Sequence, residues 1–486
     1  MKILFINPWL KTLFGDDKAK PGHPHLGLAY LIAVLKKNGF TEIDIFDQGL
    51  EDNDEILFEK IKIGQPDLIA MTTFSYCFAY ADELIKKIKE VTATPIILGG
   101  PHVSAVKKEV LLQTKADFAM QGEAENSFVK FLQEFVGNKN YAEVGNLFWK
   151  NSSGQIVENE REPLILDLDA IPFPDYEAFN FSRYNYFHSK TLPIITSRGC
   201  PYGCNYCSVK LSMGRGFRPR SPENVVAEMK HWINLYGITK FEVNDDCFTL
   251  DLERAEKICD LIISEKLNIK YEMYNGIRAD RVSQNLLQKM KDSGCIFVSF
   301  GCESGNQEII YNMGKALKLE KVREAVDLTN KIGIRNSVNF IIGHKGETYK
   351  TAMETVKFAK SLPTNFVNFY NVVPYPGTEL FSWAIENSTY MMPVADYLGK
   401  VGSRDLTPVF ETKEFTKAER IKVLKKGYAL YEKTVLQFRL GKYLGFVAYL
   451  VSRNRKLFEI GRKLALSNKV GFWIYEKFSK KSRKID

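Results

Sequence analysis

Short β-rich runs alternate with amphipathic helical stretches through the first 150 residues. Ile3–Ile6, Leu68–Thr72, Ile96–Leu98 and Phe118–Met120 are apolar on both faces, as is Ile43–Phe46 apart from Asp44. Strands of a parallel sheet covered by helices have this character, because neither face meets water. The rhythm predicts an α/β, doubly wound, Rossmann-like domain over 1–150, with ligands at the carboxyl ends of its strands.

Residues 151–193 lose the rhythm. They open on Asn151-Ser152-Ser153-Gly154 and carry Pro163, Pro172, Pro174 and Pro193, so they read as a linker holding a short hairpin. A second β/α alternation then occupies 194–412, with strands near Ile194–Ser197, Lys240–Val243, Tyr271–Asn275, Phe297–Phe300, Ser337–Ile342 and Asn365–Tyr370. These units predict a partial (β/α)6 barrel whose site lies at the carboxyl ends of the strands. Residues 413–486 read as a helical, basic, aromatic region, frayed over Lys480–Asp486.

Composition narrows the class. Hydrophobic residues make up 45% of the chain, yet no run reaches the roughly 20 apolar residues that a membrane span needs. The start of the chain lacks the long apolar core of a secretory signal, so a cytoplasmic location is expected. Eight cysteines in 486 residues are too few for a disulfide scaffold and leave thiols free for metal or redox work. The net charge of +9 is uneven: residues 413–486 hold 14 lysines and 6 arginines against 6 acids, a local +14, which leaves −5 for the rest.

The strongest chemical signal is Cys200-Pro201-Tyr202-Gly203-Cys204-Asn205-Tyr206-Cys207, spaced Cys-x3-Cys-x2-Cys. Three soft thiolates on one loop suit an iron–sulfur cubane with one iron left open; a zinc site, the alternative, would need a fourth ligand from elsewhere. With Tyr206 at its aromatic position, the loop resembles that of the radical S-adenosylmethionine superfamily. The resemblance continues through Asn244-Asp245-Asp246-Cys247-Phe248, Gly276-Ile277-Arg278-Ala279-Asp280, Gly301-Cys302-Glu303-Ser304-Gly305 and Pro374-Tyr375-Pro376-Gly377-Thr378. It implies that Cys200, Cys204 and Cys207 hold a 4Fe–4S cluster that cleaves S-adenosyl-L-methionine to a 5′-deoxyadenosyl radical. It also implies cofactor contacts from Tyr206, Glu303 and Arg278, with Asp245 or Asp246 near the amino group or the substrate. Strand-end acids also cap helices, and Asp251 and Ser304 are read that way. His344-Lys345-Gly346-Glu347 departs from the more common Gly-x-Pro-Gly-Glu, Lys345 replacing proline.

The first domain ends its strands in Thr72, Thr73 and Ser75, in Gly99-Gly100-Pro101-His102, and in Gln121-Gly122-Glu123-Ala124-Glu125. No Gly-x-Gly-x-x-Gly follows its first strand, which disfavours a dinucleotide. Together with His23-Pro24-His25-Leu26-Gly27, these pieces resemble the cobalamin-binding domain fused to many radical enzymes. That resemblance implies cobalamin contacts from Thr73, Ser75, Gly99, Gly100, His102, Gly122 and Glu123. The Asp-x-His-x-x-Gly signature is absent, and His23, His25 and His102 read as loop hydrogen-bonders rather than cobalt ligands.

The union of the two modules implies a cobalamin-dependent radical methyltransferase acting on an unactivated carbon of a small-molecule or lipid-linked substrate. Radical cyclisation or rearrangement is the alternative, and a non-catalytic sensor is the third reading. An electron donor such as flavodoxin or ferredoxin is the expected partner. The basic tail fits a helical cap on the barrel or peripheral contact with an anionic membrane; nucleic acid is not the expected partner.

Overall fold

The computed structural model describes residues 1–9, 21–51, 53–398 and 406–453. Seven strands form the first sheet: β1 (Ile3–Asn7), β2 (Ile43–Asp47), β3 (Leu68–Thr72), β4 (Ile96–Gly99), β5 (Phe118–Met120), β6 (Leu147–Lys150) and β7 (Ile156–Glu158), in the order β2-β1-β3-β4-β5-β6-β7. The first five run parallel, and β1 and β3 are buried along their whole length. The hairpin β6–β7 extends the sheet antiparallel from β5. It begins earlier than the linker expected from the sequence. Asn151 Oδ1 accepts from the backbone N–H groups of Ser153 and Gln155, so the turn signal marks the middle of this hairpin.

Six parallel strands form the second sheet. They are β8 (Thr191–Ile194) and, after the two-residue pair β9 (Ser197–Arg198) and β10 (Arg218–Pro219), β11 (Lys240–Val243), β12 (Lys270–Ile277), β13 (Cys295–Glu303), β14 (Arg335–Ile342) and β15 (Phe366–Asn371). The order is β15-β14-β13-β12-β11-β8, an open arc with β8 and β15 as its edges. Helices follow the strands, and Ser221, Asp251, Ser283 and Thr348 cap four of them with side-chain oxygens. Ser304 does not cap: its hydroxyl meets Thr355, and Asn306 caps the helix Gln307–Asn312.

The first barrel strand differs from the expected Ile194–Ser197. β8 ends at Ile194, and Ser197–Arg198 leaves the sheet to pair antiparallel with β10. Asp245, just past β11, draws the chain away. Its carboxylate accepts from the Thr196 backbone N–H and from the Thr196 and Ser197 hydroxyls, each at 2.6 Å.

The connecting segment ties the two sheets together. Asp175 N–H donates to Ala29 O (2.9 Å), the Tyr176 hydroxyl donates to Pro193 O (3.2 Å), and the Tyr184 hydroxyl donates to Asp47 (2.8 Å). Gly377, with φ +78°, lies so close that a Cβ there would stand 2.8 Å from the carbonyl oxygen of Ala105. The carboxyl ends of the two sheets therefore face one another. Beyond the barrel, the helix Lys417–Leu440 seats Gly427 against Phe369 of β15, and the helix Lys442–Arg453 follows.

Candidate active site

The cysteine loop springs from the end of β9. Cys200, Cys204 and Cys207 are free and half-buried. Two acids beside β11 fix the approach to it: Asp245 holds Thr196 and Ser197, and Asp246 accepts from the Gly199 backbone N–H at 3.1 Å. Burial pushes the Asp246 carboxyl up to about 6, and the neighbouring Asp245 charge adds to the shift. The neighbouring Cys247 thiol draws the Cys200 thiol below its usual range, against the opposing effect of burial. Burial raises Cys204 and carries Cys207 up to about 11, and the neighbouring Cys204 and Cys200 thiols add to the shift at Cys207. Among the described residues, no group of three or more His, Cys, Asp or Glu side chains is arranged to hold a metal ion.

The ends of β12 and β13 close around this loop. Glu303 has φ +71° at a break in register between β13 and β14. A non-glycine residue there costs about 1–3 kcal/mol, and such strain clusters at functional positions. Its carboxylate pairs with the buried Lys315 ammonium at 2.7 Å, and both side chains act electrostatically on Cys204. Arg278 lies 3.6 Å from the Tyr202 ring centroid, forks onto Asp280 and donates to Ala316 O. Tyr206 is half-buried, and burial beside Glu303 and Cys204 holds its phenol well above its usual range. The structure thus gathers Cys200, Cys204, Cys207, Tyr206, Asp246, Arg278 and Glu303 around one mouth, with Asp245 bracing it from beneath.

Across from this mouth lie the ends of β3, β4 and β5. The Thr73 hydroxyl and backbone N–H both donate to Gly99 O, and His102 N–H donates to Thr73 O. Gly100 adopts φ +99°, and a Cβ there would stand 2.7 Å from Thr73 O, so only glycine fits. His102 shares a 3.0 Å hydrogen bond between Nδ1 and the Ser75 hydroxyl, while its Nε2 is buried without a partner. His25 uses Nδ1 to cap the helix Leu26–Lys37, and its Nε2 is likewise buried and unpartnered. Burial takes both imidazoles down to about 4, with His23 adding to the effect at His25, so both are neutral at physiological pH. Gly122 N–H donates to the Ser104 hydroxyl.

Glu123 stands apart from this group. Its carboxylate accepts from Arg218 at 2.7 and 2.8 Å, from Arg198 at 3.0 Å and from Ile165 N–H at 3.1 Å. Arg198 also reaches Glu125 at 2.7 Å. Glu123 and Glu125 of the first module thereby grip the strand pair that launches the cysteine loop.

The family model of the Radical SAM superfamily matches residues 194–359, and that of the B12 binding domain matches residues 16–132. An uncharacterized methyltransferase of Pyrococcus horikoshii is 30% identical over 88% of this chain and 92% of its own. The chain belongs to the B12-binding radical S-adenosylmethionine family. An anaerobic magnesium-protoporphyrin IX monomethyl ester cyclase of Cereibacter sphaeroides is 26% identical over 97% of this chain and 78% of its own. Among solved structures, the cobalamin-dependent S-adenosylmethionine radical enzyme OxsB superposes with a TM-score of 0.72 at 16% identity. That match covers 99% of this chain and 75% of OxsB, and it shows the shared fold.

The residues of this radical S-adenosylmethionine enzyme fit the family's cofactors. Three free thiols on one loop form the soft donor set of an iron–sulfur cluster. At the opposing sheet end, two orphaned imidazole nitrogens and the close-approach backbone at Gly100 suit a large polar cofactor such as cobalamin.

The structure adds residues that the motifs leave out. Cys247 is buried and lies close enough to Cys200 to shift its ionisation. Lys315 reaches the cysteine loop from a segment with no motif of its own, and His344 from a turn whose sequence departs from the common Gly-x-Pro-Gly-Glu. Only their position after barrel strands could have drawn attention to them.

Proposed function

We propose that Cys200, Cys204 and Cys207 ligate the 4Fe–4S cluster, that Glu303, Arg278 and Tyr206 line the S-adenosyl-L-methionine site, and that Thr73, Ser75, Gly99, Gly100, His102 and Gly122 cradle cobalamin. On this reading the enzyme methylates an unactivated carbon of a small molecule. When bound, the cluster with S-adenosyl-L-methionine supplies a 5′-deoxyadenosyl radical, and cobalamin supplies a methyl carrier. The chain's own residues orient and shield. Asp245 and Asp246 set the entry of the cysteine loop, Lys315 balances the Glu303 charge, and the Glu123–Arg198–Arg218 cluster holds the two sheet ends in register.

The observation that supports this reading is the direct clasp of the cysteine loop's base by the end of β5, which ties the first module to the loop proposed to hold the cluster. The units read as 1–150, 151–193, 194–412 and 413–486 then act as one catalytic body with a connecting strap and an appendage. We assign the reductant to a small flavodoxin or ferredoxin, and peripheral membrane contact to the C-terminal region. Similarity to the cyclase over nearly the whole chain favours radical cyclisation as the second reading.

Anaerobic reconstitution with cobalamin, a low-potential reductant and S-adenosyl-L-methionine tests both. Matched release of 5′-deoxyadenosine and S-adenosylhomocysteine in the mass spectrum is expected for methyl transfer. Formation of 5′-deoxyadenosine alone, with substrate turnover, would replace it with the cyclase-like reading.

A further inference from the structure

Asn205 lies between Cys204 and Tyr206 in the cysteine loop, and neighbouring elements claim each of its polar groups. Its backbone N–H donates to Met313 O (3.0 Å), and its carbonyl accepts from Leu380 N–H (3.1 Å). Its side-chain Nδ2 donates to Asn312 O (2.8 Å), and its Oδ1 meets His344 Nε2 at 2.9 Å. An amide oxygen only accepts, so Nε2 carries the proton in this pair. The His344 ring also stands edge-on to Tyr206, with centroids 6.1 Å apart.

His344 is suited to hold rather than to react. It is 1% exposed in the turn after β14, where Glu347 accepts from the Gly343 backbone N–H. The turn is braced from the C-terminal side of the chain. Arg420 of the helix Lys417–Leu440 is 1% exposed, donates to Gly343 O at 3.0 Å and to Phe415 O at 3.1 Å, and lies against the rings of Phe410 and Phe415. A continuous contact therefore runs from that helix through Gly343 and His344 to the middle of the cysteine loop.

We propose that His344 is a positioning residue of the cysteine loop, acting through its hydrogen bond to Asn205 and held in place by Arg420. This rests on the reading that Cys204 and Cys207 are cluster ligands, since the hydrogen bond fixes the segment between them. Without it the loop keeps its fold but samples conformations in which the thiolates no longer match the cluster. An intramolecular hydrogen bond of this kind corresponds to about a five- to tenfold change in a local opening equilibrium.

The test compares the full-length chain with His344→Leu, which removes the donor, and His344→Gln, whose amide N–H can still reach Asn205. Amide hydrogen exchange across 204–207 in the cluster-free protein is expected to quicken about five- to tenfold in His344→Leu and to stay near wild type in His344→Gln. After reconstitution, a chelator should strip iron from His344→Leu faster by a similar factor. Should His344→Leu not fold, Asn205→Ala removes the same bond together with the one to Asn312 O, and is expected to quicken exchange at least as much. In the double variant the effects should not add.

Wild-type exchange in both single variants would overturn the assignment. Equal damage from Leu and Gln would overturn it too, because ring packing on Tyr206 would then be the determinant. If the wild-type chain assembles no cluster, the ligand reading fails, while hydrogen exchange still decides the latch.

Discussion

Arg218 donates through one nitrogen to both oxygens of Glu123, at 2.7 and 2.8 Å, with each side chain only 5% exposed. The first residue lies beside the strand that precedes the cysteine loop and the second past β5, so the two modules share one ionic cluster with Arg198. Burial alone would raise the Glu123 carboxyl, but the hydrogen bond and charge of Arg218, with those of Arg198, outweigh it and hold the group below the usual carboxylate range.

Removing this carboxylate leaves the buried Arg218 guanidinium without its carboxylate, while Arg198 keeps Glu125. Glu123→Ala is expected to lower stability by about 3–5 kcal/mol, the range for breaking one side of a buried pair. Denaturant titration of the wild type and variant measures it. Because the folded carboxyl is more acidic than the unfolded one, the contribution is complete above the unfolded value and disappears as pH falls through the folded one. The wild type and variant should therefore converge in acid.

Cys204→Ala should leave the unfolding free energy within about 1 kcal/mol of wild type, since the side chain is half-buried and small. The same change is expected to abolish the cluster's visible absorption and 5′-deoxyadenosine formation, because two thiolates cannot retain the cubane. Undiminished cleavage in this variant would refute the ligand assignment.

These tests fall where sequence and structure diverge in legibility. The strand Leu68–Thr72 was readable because burial on both faces writes a continuous apolar run, and Lys240–Val243 because polar and apolar residues alternate along it with Phe241 and Val243 buried. The cysteine loop was readable because cluster chemistry fixes the spacing of its ligands. The commitment of Glu123 was not, since its arginine partners lie 75 and 95 residues away and leave no periodic trace. The break after β8 was hidden for the same reason: Asp245, which causes it, sits 49 residues beyond Thr196. His344 and Asn205 are 139 residues apart, and neither residue type signals the other.

Glu347 gives a separate pH test. Burial beneath the turn after β14 pushes its carboxyl from 4.5 up to about 7, against the opposing Gly343 N–H and Arg420 charge. The folded chain thus keeps a proton that the unfolded chain releases. Its stabilising effect is full below about 4.5 and is lost as pH rises through about 7. Glu347→Gln, which cannot ionise, should lack this slope and gain relative to wild type between pH 5 and pH 8. Parallel stability profiles for the two proteins would contradict the shifted ionisation.

The C-terminal helices supply the last prediction. The helix Lys442–Arg453 buries Gly445 against Gln437 of the preceding helix, while Tyr443 (82%), Leu444 (68%), Val447 (56%) and Leu450 (51%) are exposed on its other side. Positions 443, 447 and 450 form one helical stripe, flanked by Lys442 and Arg453. Arg455, Trp473 and the rest of 454–486 lie outside the described residues, but their sequence continues the basic excess of +14 over 413–486. No helix among the described residues is long and apolar enough to cross a membrane. Each basic side chain near an anionic leaflet contributes about 1 kcal/mol, and buried apolar side chains at headgroup depth add to that. Vesicles containing phosphatidylserine are expected to carry the full-length protein upward in a flotation gradient, whereas neutral vesicles should not. Val447→Glu combined with Leu450→Glu should abolish flotation while leaving 5′-deoxyadenosine formation in detergent-free buffer unchanged, since both residues are exposed on the C-terminal helix. If the double variant floats as well as wild type, charge alone accounts for the contact. If neither floats, the stripe is covered within the protein rather than by lipid.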